Sequence, residues 1–149
     1  IERSCYDACV RAVGIEDALR GVLETHAEVR FALLFGSAVT RGMEDARDVD
    51  VAVCLSRSLS LFELAHLASE LEGVANRDVD LVDVEEASTL LRWEIVRSGA
   101  ILFARDPDAL LAFRARVPLE YFDLEPHLQR HGRALVRRRA EGSWSASNS

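Results

Sequence analysis

The sequence contains no lysine, and all 18 of its basic residues are arginine. Without lysine, the chain cannot form the Schiff bases of lysine enzymes, and it lacks the lysine with which P-loop proteins hold a nucleotide's phosphates. Any phosphate group that binds this chain must therefore be held by arginine, by backbone amides or through a metal ion.

Cysteines and long apolar runs are also scarce. Cys5, Cys9 and Cys54 are an odd number of cysteines without a C-x-x-C pair, a pattern that excludes a typical disulfide framework or zinc site and fits a reducing cytoplasm. The longest apolar runs, such as 31–35 and 100–104, are far shorter than the roughly 20 residues needed to cross a bilayer. We therefore expect a soluble, cytoplasmic protein.

Positive charge is in the minority. The 25 acidic residues outnumber the 18 arginines and give a formal net charge of −7, which argues against binding of a nucleic-acid backbone by bulk electrostatics. Nucleic acid is therefore disfavoured as the sole partner. At 149 residues, of which 49% are hydrophobic, the chain is long enough for one domain with a substantial core.

Hydrophobic periodicity predicts alternating helices and strands. Ser60 and Glu63 match the capping-box pattern at a helix start. Alternation over 48–53 places Val49, Val51 and Val53 on one strand face and acidic residues on the other. The predicted elements are helix 15–23, strand 29–35, strand 48–53, helix 61–71 ending at Gly73, strand 79–84, helix 89–98 and strand 100–103.

This order predicts an α/β (α+β) protein with a mixed β-sheet flanked by helices and a C-terminal helical extension. Asp106 and Pro107 form an N-cap and a first helical residue, and Pro118 and Pro126 are expected to interrupt or kink the helical region that follows. We divide the chain into an N-terminal segment with helical potential (1–14), a core (15–105), a C-terminal helical region (106–141) and a flexible tail (142–149).

One pattern of glycine, serine and aspartate residues indicates a chemical function. Gly36 and Ser37 follow the first predicted strand, and Asp48 and Asp50 open the second, which gives the pattern G-S-x10-D-x-D. A Gly-Ser turn exposes backbone amides, and its small side chains let a phosphate approach closely. Two aspartates at i and i+2 on a strand project from one face, where their oxygens suit a hard divalent cation such as magnesium.

A third carboxylate, from Asp80 or Asp78 on the next strand, would complete a site for two ions roughly 3.5–4 Å apart. Taken singly, each part has an ordinary explanation. An Asp-x-Asp strand start is commonly a solvated acidic edge, and Gly-Ser is a common turn dipeptide. Acidic residues from two strands that share a non-core face behind a Gly-Ser turn favour a functional site.

These residues carry a family resemblance. Residues 15–105 resemble the minimal nucleotidyltransferase (MNT) domain of the DNA polymerase beta-like superfamily, and within it the MNT antitoxins that are paired with HEPN-domain toxins. The resemblance implies a nucleotidyltransferase fold for the core. The matching segments are Leu34-Phe35-Gly36-Ser37, Arg41-Gly42, Asp48-Val49-Asp50-Val51-Ala52-Val53 and Val79-Asp80-Leu81-Val82.

The resemblance implies a role for each site residue. Gly36 and Ser37 would bind the nucleotide's phosphates, Asp48 and Asp50 would ligate Mg²⁺, and Asp80 would hold the catalytic metal, as one of two ions, and help to activate the attacking hydroxyl. It further implies transfer of AMP from ATP to a hydroxyl, that of a tyrosine, on a cognate HEPN toxin, within a homo- or hetero-oligomer. The enzyme would thus be a protein adenylyltransferase and an antitoxin.

The sequence departs from the family's pattern in the loop before Asp48. The Arg41-Gly42 pair lies one residue farther from Gly-Ser than is common, and Arg47 stands where a serine often precedes the first aspartate. Neither arginine receives a role. His127 and His131, at i and i+4, lack the features of a zinc site, and the run Arg137 to Arg139 is typical of a solvated helix end.

Two alternative functions stay open at this point. One is a transferase that acts on a small molecule, such as an aminoglycoside, or on an RNA end. The short chain after the core leaves little room for the added substrate domain that such enzymes carry, and the acidic balance disfavours RNA. The other is a non-catalytic antitoxin that neutralises its partner by binding alone, against which the intact Asp48, Asp50 and Asp80 argue.

Overall fold

A computed structural model describes residues 14–145, with the side chains of 14–127, 129 and 130. Most of the predicted N-terminal segment, 1–14, and the last four residues of the predicted tail therefore lie outside the described residues. The elements in chain order are α1 (Ile15–Thr25), β1 (Val29–Phe35), α2 (Ser37–Thr40), β2 (Asp48–Leu55), α3 (Leu61–Ala75), β3 (Asp78–Asp83), α4 (Thr89–Ser98), β4 (Ala100–Ala104) and α5 (Pro107–Ser145).

The four strands form one mixed sheet in the order β3-β2-β1-β4. β1 pairs antiparallel with β2 and with β4, whereas β2 and β3 run parallel. The parallel pair is joined through α3, the crossover helix that a parallel connection requires. The predicted mixed sheet flanked by helices is confirmed.

Each face of the sheet carries a hydrophobic core. On one face, Val49, Val51 and Val53 pack with buried leucines of α1 and α3. On the other face, Ala52 and Cys54 pack with residues of α4 and α5, among them Ile95 and Phe113. The period-two alternation predicted for β2 is thus confirmed. From Val51 to Leu55, β2 is buried on both faces, so only the first residues of the strand are open to solvent.

Cys54 is a free, buried cysteine. Burial raises the pKa of its thiol above the ordinary value, which makes the thiolate less available to act as a nucleophile. Cys54 is thus a small hydrophobic residue of the core.

Capping explains where the helices begin and where one prediction is wrong. Ser60 and Glu63 form the predicted capping box at the start of α3. α3 does not end at Gly73 but continues to Ala75, because Asn76 supplies the left-handed cap (φ 55°) that closes the helix. Asp106 caps α5 by accepting a hydrogen bond from the backbone N–H of Ala109 over 3.1 Å.

α5 is one helix of 39 residues and contains both prolines. α5 is not interrupted at Pro118 or Pro126, so this half of the prediction is wrong, and the kink stays a prediction. Each proline removes one backbone donor, and the hydrogen bonds of the neighbouring turns keep the helix continuous. The helix also continues through 142–145, which were assigned to the flexible tail. Gly142 does not end it, because one glycine inside a helix costs only about 1 kcal/mol relative to alanine and the rest of a long helix sustains its growth.

Across residues 14–145, no helix combines the length and the apolar character that a membrane crossing demands. The cytoplasmic location stays a prediction.

Candidate active site

Three chain segments meet at one end of the sheet. β1 ends at Phe35, which pairs with Asp50 near the start of antiparallel β2. β3 starts beside β2 in parallel register, so that Asp48 pairs with Asp78 and Asp50 with Asp80. The turn after β1 and the acidic starts of β2 and β3 therefore lie together, as the G-S-x10-D-x-D spacing predicted.

The acidic side chains share one face of the sheet. Asp48 and Asp50 lie on the same face as Ala52, and Asp80 lies on the same face as Val82, in line with the two-residue alternation of each strand. Farther along these strands, that face is covered by α4 and α5. At the acidic end the cover is missing: Asp48 and Asp80 are exposed, and Asp50 is partly buried.

Gly36 packs directly against the Asp50 carboxylate. Its backbone has φ 69°, a conformation that favours glycine. A Cβ atom at this position would lie 2.3 Å from Asp50 Oδ2, far inside van der Waals contact. Only a residue without a side chain therefore brings the backbone this close to the carboxylate. The Gly36 carbonyl accepts hydrogen bonds from the N–H groups of Val39 and Thr40, which fold the next residues into α2.

Ser37 is the first residue of the short helix α2 and is partly exposed beside this turn. Gly36 and Ser37 directly follow β1, as the sequence predicted, with Gly36 in the turn. α2 itself was not among the predicted elements, because four residues are too few to show helical periodicity.

The carboxylates repel one another. Burial and the nearby charges of Asp80 and Asp48 raise the pKa of Asp50 above its ordinary value. Within the described part of the chain, no arginine or histidine forms an ion pair with Asp48, Asp50 or Asp80 (the ion pairs found there join other residues). The cluster is thus an uncompensated negative patch at the edge of the core.

The donor set fits a hard divalent cation. Three carboxylates from two adjacent strands supply only oxygen ligands, the type that Mg²⁺ prefers. A cation beside them would offset the repulsion that raises the pKa of Asp50. Even so, among the side chains that the structure describes, no three carboxylate, imidazole or thiol groups converge closely enough to form a ready-made metal cluster.

Arg77 is a residue of this region that the sequence did not reveal. It precedes β3, and its guanidinium donates to the carbonyl oxygens of Met43 and Ala46 in the loop before β2. Its partners are backbone atoms more than 30 residues away, which no side-chain pattern encodes. Arg41 and Arg47, by contrast, are exposed in the same loop, and neither forms an ion pair with a described residue.

The side chains of His131 and of Arg137 to Arg139 lie outside the described residues. The interpretations given to them stay untested, as does the zinc interpretation of His127 with His131.

A family model described as "Polymerase beta, Nucleotidyltransferase" matches residues 17–108. The chain is 29% identical over 110 residues to "Protein adenylyltransferase MntA" of Shewanella oneidensis, an alignment that covers 73% of this chain and 75% of that protein. The resemblance to a polymerase beta-like nucleotidyltransferase is confirmed.

Solved structures give the same result. The fold is similar to a chain in a crystal structure of a toxin-antitoxin with AMP-PNP, at a TM-score of 0.64 and 28% identity, covering 84% of this chain and 98% of the other. It is also similar to a chain in a structure of a tri-AMPylated Shewanella oneidensis HEPN toxin in complex with MNT antitoxin, at a TM-score of 0.62 and 26% identity, covering 85% and 96%.

Proposed function

We propose a function from the premise that this chain belongs to the polymerase beta nucleotidyltransferase family, whose model matches 17–108. The chain is a Mg²⁺-dependent protein adenylyltransferase and an antitoxin. It transfers AMP from ATP to a tyrosine hydroxyl of a cognate HEPN toxin and thereby neutralises the toxin. Its relatives support the AMP transfer, the nucleotide and the toxin partner: one is a protein adenylyltransferase, one is a toxin-antitoxin with AMP-PNP, and one pairs an MNT antitoxin with an AMPylated HEPN toxin.

The observation that carries the proposal is the contact between Gly36 and Asp50. The turn that would hold a phosphate lies against the carboxylate that would hold a cation, at a distance that only glycine permits. A triphosphate bound at Gly36 and Ser37 would therefore lie beside Asp50, and through the strand register beside Asp80. With no lysine in the chain, backbone amides and a cation are the remaining strong phosphate contacts besides arginine.

Asp48, Asp50 and Asp80 are the residues that would hold Mg²⁺, as two ions. Bound there, Mg²⁺ would offset the charge of the triphosphate and favour displacement at its α-phosphorus. Gly36 and Ser37 would orient the triphosphate through the backbone amides of the turn and the serine hydroxyl. The carboxylate of Asp80 would take part in removing the proton of the attacking hydroxyl.

The reaction balances as a single displacement. The tyrosine oxygen forms a bond to the α-phosphorus of ATP. The bond between that phosphorus and the oxygen that bridges it to the β-phosphate breaks, and pyrophosphate leaves. The hydroxyl proton passes to a base at the site. No oxidant or further co-reactant is needed.

A protein acceptor is in keeping with what the structure describes after the core. The described residues that follow the core form one helix, α5, which runs to Ser145. An acceptor group presented by a partner protein, in a complex of the two chains, supplies what the core lacks, and a cytoplasmic location would give access to ATP.

The test is to co-express the chain with the product of the neighbouring gene and to measure the mass of that partner by intact-mass spectrometry. With ATP and Mg²⁺, we expect the partner to gain the mass of one or more AMP groups. Asp48→Asn combined with Asp50→Asn should abolish the gain. Asp83→Asn is the matched control, because Asp83 is an acidic residue of the same strand as Asp80 but lies at its opposite end, beside Val53, and has no assigned role, so it should retain the gain.

Other results would identify the alternatives. A partner that is neutralised without any gain in mass would indicate an antitoxin that acts by binding alone. A partner that gains nothing and is not neutralised would move the search to small-molecule or RNA acceptors.

A further inference from the structure

The loop that leads into β2 is tied to β3 by one side chain. Arg77, the residue before β3, donates from Nη1 to the carbonyl oxygen of Met43 and, over 2.8 Å, to that of Ala46. Arg77 is partly buried, and Ala46 is only 5% exposed. The contact therefore joins two distant chain segments in a partly desolvated setting, where a charged donor bonds more strongly than at an open surface.

Both ends of this bridge are close to the acidic residues in sequence. Ala46 precedes Asp48 by two residues, and Arg77 precedes Asp80 by three. The loop from 41 to 47 has turns but no helix or strand of its own. Met43 of this loop packs against the core and Ala46 is buried, and the Arg77 guanidinium adds hydrogen bonds that join the loop to the start of β3.

We propose that Arg77 is a positioning residue that holds the 43–46 loop against β3 and so sets Asp48 and Asp50 relative to Asp80. This inference rests on the proposed function for the meaning of those carboxylates. Arg77 itself bonds backbone carbonyls, and its effect on cation and nucleotide binding is indirect, through the loop.

An arginine suits this task because its planar guanidinium presents several donors in a fixed arrangement, so that one group reaches two carbonyl oxygens. A lysine ammonium at the same place keeps the charge but is a compact point donor on a flexible stem. Arg77→Lys should therefore restore part of the effect that Arg77→Ala removes, and a mere loss of positive charge cannot explain a difference between them.

The chain offers a matched control at the opposite end of β3. Arg92 also donates to two backbone carbonyls, those of Val84 and Glu85, each over 2.6 Å. It holds the loop that leaves β3, on the far side of the strand from Asp80. Arg92→Ala thus removes the same kind of contact without touching the acidic end.

The experiment has an arm that needs no ligand. Arg41 and Arg47 are exposed in the loop, so trypsin cleavage after them reports how often the loop opens. At a temperature where all variants are folded by circular dichroism, we expect Arg77→Ala to speed this cleavage about 10-fold, Arg77→Lys to speed it less, and Arg92→Ala to leave it unchanged.

A second arm measures cation binding. By calorimetric titration with Mn²⁺ in the presence of AMP-PNP, Arg77→Ala should weaken cation affinity about 10-fold, as expected for a residue that orients metal ligands from outside. Arg92→Ala should bind as the unchanged chain does. Cation affinity is a property that a purely structural role would leave in place once folding is matched.

The outcomes separate this inference from the proposed function. Cleavage in Arg77→Ala that is no faster than in the unchanged chain would overturn the inference, whether or not the chain transfers AMP. Faster cleavage with unchanged Mn²⁺ affinity would overturn the positioning role. Absence of Mn²⁺ and nucleotide binding in the unchanged chain would count against the proposed function, and with it against any role of Arg77 in setting a cation site.

Discussion

Acidic residues at the two ends of β3 have different contacts. The near end is the start of the strand, where Asp80 lies, and the far end is the turn that follows the strand. At the far end, Glu85 accepts from Arg116 over 3.4 Å, and Glu120 on α5 contacts both Arg92 and Arg116. At the near end, Asp80 and its neighbours on β2 have no ion-pair partner among the described residues. Arg77, which lies at this end, bonds backbone carbonyls and forms no ion pair with the carboxylates.

The difference separates acidic residues that hold the fold together from those that do not. The far end connects β3, α4 and α5 through carboxylates and guanidinium groups. At the near end, the carboxylates of Asp48 and Asp80 repel that of Asp50 and contribute to its raised pKa. Gly36 packs against the same Asp50 carboxylate. Repulsion without an internal partner is what a site for an external cation requires.

The largest effect is expected for Asp50→Asn. The change removes a proposed cation ligand, and we expect the rate of AMP transfer to fall by on the order of 10³-fold, a loss typical of removing a preorganised electrostatic group. At the same time it removes a partly buried charge and its repulsion, so the free energy of unfolding should rise, by up to about 1 kcal/mol. Activity assays and urea unfolding measure the two effects.

Opposite signs for activity and stability distinguish a functional carboxylate from a structural one. If Asp50→Asn lowered the free energy of unfolding, Asp50 would belong with the structural carboxylates of the far end. The comparison between the two ends would then fail.

Gly36→Ala should have the next largest effect. Its methyl group would meet Asp50 Oδ2 at 2.3 Å, and the displaced carboxylate should slow AMP transfer about 10²-fold, as misplacement of about 1 Å at a reacting centre does. The positive φ adds a stability cost of about 1–2 kcal/mol. Single-turnover rates and thermal unfolding give both values.

Gly42→Ala is the matched control for that prediction. Gly42 also has a positive φ, 97°, but a Cβ there meets nothing within 4 Å. It should therefore lose similar stability and keep most of its activity. Equal loss of activity in the two variants would show that backbone strain alone, and not the contact with Asp50, is what matters.

Arg92→Ala should weaken the packing at the far end of β3 and leave the acidic end unchanged. Arg92 is 16% exposed and donates to the carbonyls of Val84 and Glu85, so its loss should lower the free energy of unfolding by about 2 kcal/mol. The transfer rate per folded molecule should stay unchanged. Denaturant unfolding with an activity assay at low temperature checks this, and a rate that fell with stability fully retained would contradict the separation of the two ends.

Arg116→Ala should have the smallest effect. Arg116 is 48% exposed, and its contacts with Glu85 and Glu120 measure 3.4 and 3.3 Å. Exposed ion pairs of this kind contribute little, so we expect a loss of about 0.5 kcal/mol or less. A loss as large as that of Arg92→Ala would mean that the ion pairs, and not the bonds to backbone carbonyls, hold the far end.

Periodicity predicted the longer elements and missed the shortest one. β1 was predicted at its observed bounds because its residues are almost all apolar, and the alternation of β2 gave both of its faces. α2 escaped because it is four residues long. The end of α3 was misplaced because the cap is Asn76, whose left-handed conformation depends on the chain that follows. The continuity of α5 through two prolines follows from a whole helix rather than from one residue.

The site was predictable where chemistry depends on local spacing. Asp48 and Asp50 share a face because they are two residues apart, and Gly36 and Ser37 had to follow a strand. The spacing left both Asp78 and Asp80 open as the third carboxylate, because their places beside β2 depend on the register between β2 and β3, which pairs Asp78 with Asp48 and Asp80 with Asp50. The contacts of Arg77 could not be predicted for the same reason, because its partners are carbonyl oxygens that only folding brings near.

The most direct test of the acidic end as a site of AMP transfer uses ATP labelled at either its α- or its γ-phosphate, incubated with the chain, its co-expressed partner and Mg²⁺. The account predicts that the α label enters the partner, that the γ label leaves as pyrophosphate, and that Asp50→Asn incorporates neither. Incorporation of the γ label, or undiminished incorporation of the α label by Asp50→Asn, would contradict it.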